Sequence, residues 1–392
     1  MSVGNIEKRG VNSYRLTVSG GSDRNGKRIK YQKTIKAKSE REAGKALALF
    51  IADIEAGKIQ KEPPPHEMTF SEFTDLYLNN YAMTNLSGTT VSEYKRILNV
   101  HLLPRFGARP LSSIRPLDAL SLYAELGQDG IRHDGKQGGY SPRTIHRVHE
   151  LLRSMFELAF RWELINSNPI AKVTPPKVGR AEVEFLTLEE AKRLYEKVGF
   201  EDPLFCAFVR IAMLTGLRRS EMLGLTWGAV NMEKREMQVS IAVVYVPDVG
   251  LVQKEPKTER SNRTIFLTDG LLEEFNRLLL RRNMLFPTAQ ITAQEYLFVT
   301  PNGILLHPDT ITGYYRDFIA RNPDLPNVTL HGLRHTAATL MLTNGVDIET
   351  VSRVLGHASS TTTSNYYLHS ADESKRRALQ GLDAAISNKQ PF

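Results

Sequence analysis

Ile211-Ala212-Met213-Leu214-Thr215-Gly216-Leu217-Arg218-Arg219-Ser220-Glu221 reads as an apolar helix that stops at a glycine and passes at once to two arginines. Ser220 is suited to cap a following helix, with Glu221 in its first turn. Three segments downstream also hold polar residues unusual for their surroundings. Glu255-Pro256-Lys257-Thr258-Glu259-Arg260-Ser261-Asn262-Arg263-Thr264-Ile265 reads as the tip and return strand of a hairpin. His331-Gly332-Leu333-Arg334-His335 opens a helix that runs to Asn344-Gly345. Leu355-Gly356-His357 precedes Thr361 to Thr363 and then Tyr366-Tyr367-Leu368-His369. Taken singly, each segment has a bland reading. An arginine near a helix end caps carbonyls, a histidine at a helix start braces the turn, and a tyrosine pair packs. His331 and His335, at i and i+4, also suit zinc. The hydrolase arrangement needs Glu directly after the first His, and Gly332 stands there instead, so a zinc site made of histidines remains the open alternative.

Composition bounds the class. A chain of 392 residues has room for two or three domains, and its 41% hydrophobic and 24% charged content is ordinary for a soluble globular protein. Lys plus Arg is 51 against 43 Asp plus Glu, a net charge of +8 that suits an acidic partner, nucleic acid first. The charge is unevenly spread: +7 on residues 1–60, +3 on 61–180 and −2 on 181–392. The single Cys206 leaves no disulfide framework and no thiolate metal cluster, and fits a reducing compartment. No run of about 18 apolar residues reads as a membrane span. The first ten residues lack an apolar signal core, so a cytoplasmic protein is expected.

The pattern outside the deciding stretch divides the chain. Tyr14, Leu16 and Val18 alternate with Arg15 and Thr17, the period of a half-buried strand. Gly20-Gly21 and Asn25-Gly26 are turn signals. Ile29, Tyr31 and Lys33 alternate in a second strand whose other face carries Arg28, Lys30 and Gln32. Ser39 is an N-cap for a helix over 40–56, ended by Gly57. A basic sheet of this kind suits a DNA groove, with Arg15, Lys27, Arg28, Lys30 and Lys33 as candidate contacts. Pro63-Pro64-Pro65 forms a semi-rigid spacer. Residues 67–172 read as all-helical. Val91, Tyr94, Leu98 and Leu102 recur at helical spacing, with Pro104 and Gly107 expected to stop that helix. Ser141-Pro142 opens another, with Ile145, Val148, Leu152, Met155, Ala159 and Trp162 as its apolar stripe and Arg143, Arg147 and Arg153 off it. Asn168-Pro169 and Thr174-Pro175-Pro176 mark a second linker. Residues 235–268 are strand-rich. The tail from Ser374 begins amphipathic and ends polar.

Taken together, the four polar segments resemble the tyrosine recombinase (phage integrase) family, in particular the integrases of phages and integrative mobile elements. The family pattern is Thr-Gly-Leu-Arg-x-x-Glu, a hairpin Lys, His-x-Leu-Arg-His, Leu-Gly-His, and a Tyr about ten residues on. Thr215 to Glu221 match the first; Lys257, with Thr258, Ser261 and Arg263, matches the second. His331 to His335 and Leu355 to His357 match the third and fourth, in order. Tyr366 and Tyr367 both lie at family distances; Tyr367, followed by Leu368 and His369, meets the usual Tyr-x-His ending and is the preferred nucleophile. The resemblance implies an α+β multidomain chain. Residues 1–60 would be a small three-stranded sheet plus helix that binds arm-type DNA sites. Residues 66–172 would be an all-helical core-binding domain, and 181–392 a mainly helical catalytic domain with a β-hairpin or small sheet.

It also implies a chemistry that the residue types explain. A tyrosine attacks a DNA phosphodiester, and the transition state gathers negative charge on the non-bridging oxygens. Arg218 and Arg334 supply permanent charge in a planar fork of donors. His331 and His357 add hydrogen bonds. A phenol with a pKa near 10 needs that positive field or a base; His335 is either that base or a brace. Lys257 suits protonation of the departing 5′-oxygen, and Glu221 orients a cationic neighbour. The resulting 3′-phosphotyrosine conserves the bond energy, so the reaction is cutting and rejoining with no cofactor and no metal. The implied partners are double-stranded DNA, three further copies in a synaptic tetramer, and an accessory DNA-bending or directionality protein. A type IB topoisomerase or a chromosome-dimer-resolving recombinase would share the chemistry.

Overall fold

The structure is a computed structural model describing residues 3–10, 12–22, 28–56, 67–179, 184–254 and 262–356. At the N-terminus, β1 (Val3–Gly10), β2 (Ser13–Ser22) and β3 (Arg28–Lys36) form an antiparallel meander in that order. Helix α1 (Glu40–Glu55) covers one face, capped by Ser39, whose hydroxyl accepts from the Glu42 N–H. The two-residue period puts Tyr14, Leu16 and Val18 under α1, where Leu16 and Val18 pack with Phe50. Register sets Arg15 opposite Glu7 and Thr34, and Lys30 opposite Ser19, all on the uncovered face. Lys33 pairs with Leu16 and therefore lies on the α1 side, its Nζ 5.9 Å from the Phe50 ring centroid.

In the helical part, α2 (Phe70–Tyr77) passes through a π turn at Leu78–Ala82 into α3 (Met83–Asn85). Likewise α4 (Gly88–Ile97) passes through a π turn at Leu98–Leu102 into α5 (Leu103–Phe106). Pro104 does not stop the helix there, contrary to the sequence expectation. The Leu103 N–H reaches back five residues to the Leu98 carbonyl, and the widened turn accommodates a residue that lacks its own N–H. Helices α6 (Pro116–Leu126) and α7 (Pro142–Arg161) complete the group. Of the α7 stripe, Ile145, Val148, Leu152, Met155 and Ala159 are buried, and Phe156 stacks on Phe70. Ile170 and Val173 join this core, so the chain after Asn168 is packed before it crosses to the next part.

The C-terminal part contains α8 (Leu188–Lys197), α9 (Pro203–Thr215), α10 (Arg219–Leu223), β4 (Val230–Asn231) and β5 (Glu236–Val239). There follow β6 (Ala242–Val246), β7 (Gly250–Lys254), β8 (Arg263–Phe266), α11 (Asp269–Leu285), α12 (Pro308–Arg321), α13 (Gly332–Thr343) and α14 (Ile348–Leu355). Strands β4, β5 and β8 form one sheet, and β6 and β7 a separate hairpin. The return strand β8 therefore pairs with β5, with Ile265 opposite Met237, rather than with β7. Helix α9 is apolar nearly all round and runs through the middle of the core, as such a helix must. Burying it fixes the position of its C-terminal end, where Gly216 and Arg218 stand. Among the described residues no helix is long and apolar enough to cross a membrane.

Candidate active site

Three arginines from distant parts of the chain meet at the end of α14. Arg263 Nε donates to the Val354 carbonyl at 2.6 Å, and Arg334 Nη2 donates to the Leu355 carbonyl at 2.8 Å. Arg218 Nη2 donates to the Gly356 carbonyl at 3.3 Å. Each thus meets one of three consecutive carbonyls at the negative end of a helix, a favourable place for cations. Arg334 Nη1 also donates to the Gly216 carbonyl at 2.9 Å, tying α13 to the end of α9.

Glu221 is the shared counter-charge. Its carboxylate accepts from Arg218 Nη1 at 2.7 Å and from Arg263 Nη2 at 3.0 Å. Burial would raise this carboxyl, but the Arg263 hydrogen bond and charge, with those of Arg218, hold it below the usual range. It also accepts the Arg218 backbone N–H at 2.9 Å, so Arg218, not Ser220, is the N-cap of α10. That third bond replaces the cap expected from Ser220, because Glu221 reaches back over the first turn.

Two glycines make the close approach feasible. Gly216 ends α9 at φ +64°, and a Cβ there would come within 2.4 Å of Leu355 Cδ2. Gly356 ends α14 at φ +66°, and a Cβ there would come within 2.6 Å of Arg263 Nη1. Both are left-handed positions that suit glycine.

His331 and His335 lie at the start of α13, their rings edge to face with centroids 5.1 Å apart. His331 keeps an exposed edge, yet partial burial and then the Arg334 and Arg218 charges lower its imidazole from the ordinary value. Burial, followed by His331 and Arg334, lowers His335 further, to about 4. Both rings are therefore neutral at pH 7, able to donate or accept one hydrogen bond at each nitrogen. Among the described residues no group of three or more His, Cys, Asp or Glu side chains is arranged to hold a metal ion.

The structure thus brings together Arg218, His331 and Arg334, with Glu221 and His335 beside them. Lys257, His357, Tyr366, Tyr367 and the tail lie outside the described residues, as do Lys27 and the triple proline. Arg28 stands in β3. Arg263, which the sequence pattern carries only within the hairpin match, is the additional site residue. The one signal for it in the sequence was its place in the hairpin match; its partners, Glu221 and the Val354 carbonyl, are set by the fold. A second basic site lies in the helical part, where Arg143 and Arg147 of α7 line a small cavity with Arg96, Glu93, Ser141 and Thr144.

Residues 184–374 match the phage integrase family, and 69–126 match the phage integrase N-terminal SAM-like domain. The chain is 26% identical to a protein of Caldanaerobacter subterraneus named tyrosine recombinase XerC-like, over 97% of this chain and 98% of that one. It is 25% identical to the ICEBs1 integrase of Bacillus subtilis, over 98% and 99%. Among solved structures, the Tn1549 transposon integrase in complex with circular intermediate DNA is similar, with a TM-score of 0.66 and 23% identity. That alignment covers 80% of this chain and all of that one. A lambda integrase dimer bound to a core site aligns over 92% and 94%, with a TM-score of 0.54 and 17% identity. With its arginines gathered on Glu221 and the end of α14, and its fold shared with integrases, the chain belongs to the tyrosine recombinase (phage integrase) family of DNA strand-cutting and rejoining enzymes.

Proposed function

We propose that this chain is the site-specific integrase of a mobile element or prophage, with Tyr367 as its nucleophile. The observation that carries this is the arginine cluster: Arg218, Arg263 and Arg334 held in one place by Glu221 and the end of α14. Such donors act on charge as it develops in the transition state, and each contributes about 3–4 kcal/mol where measured on comparable oxyanion sites. In the proposed cleavage, the Tyr367 phenol gives up its proton, to His335 or to water, its oxygen attacks phosphorus, the bond to the 5′-oxygen breaks, and Lys257 gives that oxygen its proton. His331 and His357 donate to the non-bridging oxygens. A 5′-hydroxyl from the partner duplex reverses the step.

The remaining assignments belong to the same proposal. Residues 1–60 bind accessory arm sites through Arg15, Lys30 and their neighbours, 66–172 grip the core site, and 181–392 carry the chemistry. In the helical part, Arg143 and Arg147 stand in the first turns of α7, whose own first turn carries no acidic residue; a helix N-terminus and cations there suit a DNA phosphate. Double-stranded DNA, a synaptic tetramer, an accessory DNA-bending or directionality protein and a bacterial cytoplasm are the proposed surroundings.

The test is a nicked duplex carrying the attachment site, on which cleavage traps the enzyme. The expected result is a covalent protein–DNA adduct that survives denaturation and forms in EDTA. Tyr367→Phe abolishes it and Tyr366→Phe does not; the reverse pattern overturns the nucleophile, and loss in EDTA overturns the metal-free chemistry.

A further inference from the structure

The hairpin of β6 and β7 is gripped from two sides. On the catalytic side, the Tyr245 ring meets His307 edge to face with centroids 4.5 Å apart, and Gln253 Nε2 donates to the Tyr296 hydroxyl. On the other side it meets the start of α4, in the helical part. Val246, 6% exposed, sits against Gly88 so closely that a Cβ there would come within 3.2 Å of Val246 Cγ1. Beside it, Lys254 Nζ donates to Thr89 Oγ1 at 3.1 Å. Thr89 Oγ1 is itself 3.0 Å from the hydroxyl of Ser87, the N-cap of α4.

Lys254 ends β7, and Lys257 follows three positions later. Three residues span at most about 10 Å, so Lys257 is tethered by the chain within that reach of Lys254. General acid catalysis is far more demanding than that, because the acid must reach hydrogen-bond distance of the leaving oxygen. We propose that Gly88 and Thr89 of α4 form a positioning latch with Val246 and Lys254, through which the helical part sets the rate of leaving-group protonation by Lys257. Thr89 and Lys254 are positioning residues in this scheme and touch no reacting atom. The inference rests on Lys257 being the general acid.

A sulfur-substituted substrate separates the latch from the general acid. When the phosphodiester breaks, electrons pass to the 5′-oxygen, which takes a proton from the lysine ammonium. A bridging sulfur at that position leaves as a thiolate, whose conjugate acid has a pKa near 8.5, and needs no proton. Single-turnover cleavage is measured with the full chain on nicked duplexes carrying either atom. Thr89→Val is expected to slow the oxygen substrate about tenfold, a fraction of a general acid's usual contribution, and to leave the sulfur substrate within about twofold of wild type. Thr89→Ser, which keeps the hydroxyl, retains the wild-type rate. Lys254→Met behaves like Thr89→Val, and the double variant is no slower than either single one, as two ends of one contact require. Melting temperatures confirm that the variants fold. Equal slowing of both substrates, or of neither, by Thr89→Val overturns the latch. If Lys257→Ala is itself not rescued by sulfur, the general-acid assignment fails and takes the latch with it. If Lys257→Ala is rescued and Thr89→Val is not slow, the latch alone fails.

Discussion

Arg334 and Lys30 are both cations proposed to meet DNA, yet they are held in opposite ways. Arg334 is 4% exposed and donates to two backbone carbonyls from different helices. Lys30 stands exposed on the open face of a three-stranded sheet, placed by strand register. The arginine cluster sits in the part of the chain with net charge −2, the sheet in the part with +7. Net charge draws DNA in and scales with ionic strength. Placement acts on one phosphate and is less screened, because its charges are partly buried. The comparison teaches that the catalytic part needs few cations, provided each is pinned, whereas the N-terminal sheet offers several, and the described ones on its open face, Arg15 and Lys30, are placed by strand register.

The largest effect that sharpens this comparison is expected at Arg218. Arg218→Ala should lower the cleavage rate about 10²–10³-fold while the affinity for attachment-site DNA falls far less, as read by single-turnover cleavage and by gel shift. A parallel fall in both would make Arg218 an ordinary binding cation and erase the distinction. Next is Glu221→Gln. It leaves Arg263, whose side chain is 7% exposed, without its buried carboxylate, and such a loss costs about 3–5 kcal/mol of stability. A melting temperature unchanged from wild type would show that the carbonyls of α14 suffice. A smaller effect is expected with pH. His335 is held at about 4 against an ordinary 6.5, so the folded state binds fewer protons than the unfolded one between those values. Stability is therefore full above about pH 6.5 and falls as the pH drops toward 4. His335→Asn should flatten that part of the curve in thermal melts, and Glu221, lowered in the same sense, should account for loss at still lower pH. The smallest effect belongs to the sheet. Replacing Arg15 and Lys30 by Ala should leave cleavage intact and reduce the salt slope of arm-site binding by about 0.9 for each phosphate no longer neutralised. Lys33→Ala, on the α1 side, should change that slope less; an equal change would place the DNA on both faces.

Much of this frame was legible because it is local. Gly216 reads as a helix end and is one, whereas Gly356, legible only as part of a motif, proves to end a helix as well. Ser39 and Ser141 read as caps, and each accepts a backbone N–H. Strands β2 and β3 showed in their alternation. By contrast β1, with Ile6 its one inward apolar side chain packed on both adjoining clusters, offers little period to read. The π turn that carries the chain past Pro104 has no sequence signature, and the same widening occurs at Leu78–Ala82, where no proline stands. The partners of the arginines were also beyond reach. Arg263 meets Val354 across 91 positions, and Arg218 meets Gly356 across 138. Sequence motifs named residues that gather, and only the fold says on what they gather.

The end of α14 therefore has a meaning beyond bracing. Since Arg218, Arg263 and Arg334 all bond to its last carbonyls, the seating of this one helix and the aim of the cluster form a single equilibrium. Linkage makes the dependence mutual: a phosphate that favours the gathered arginines must favour the seated helix by the same factor. A mutation or partner that loosens α14, far from any DNA contact, would then weaken the proposed grip on phosphate by up to that coupling factor.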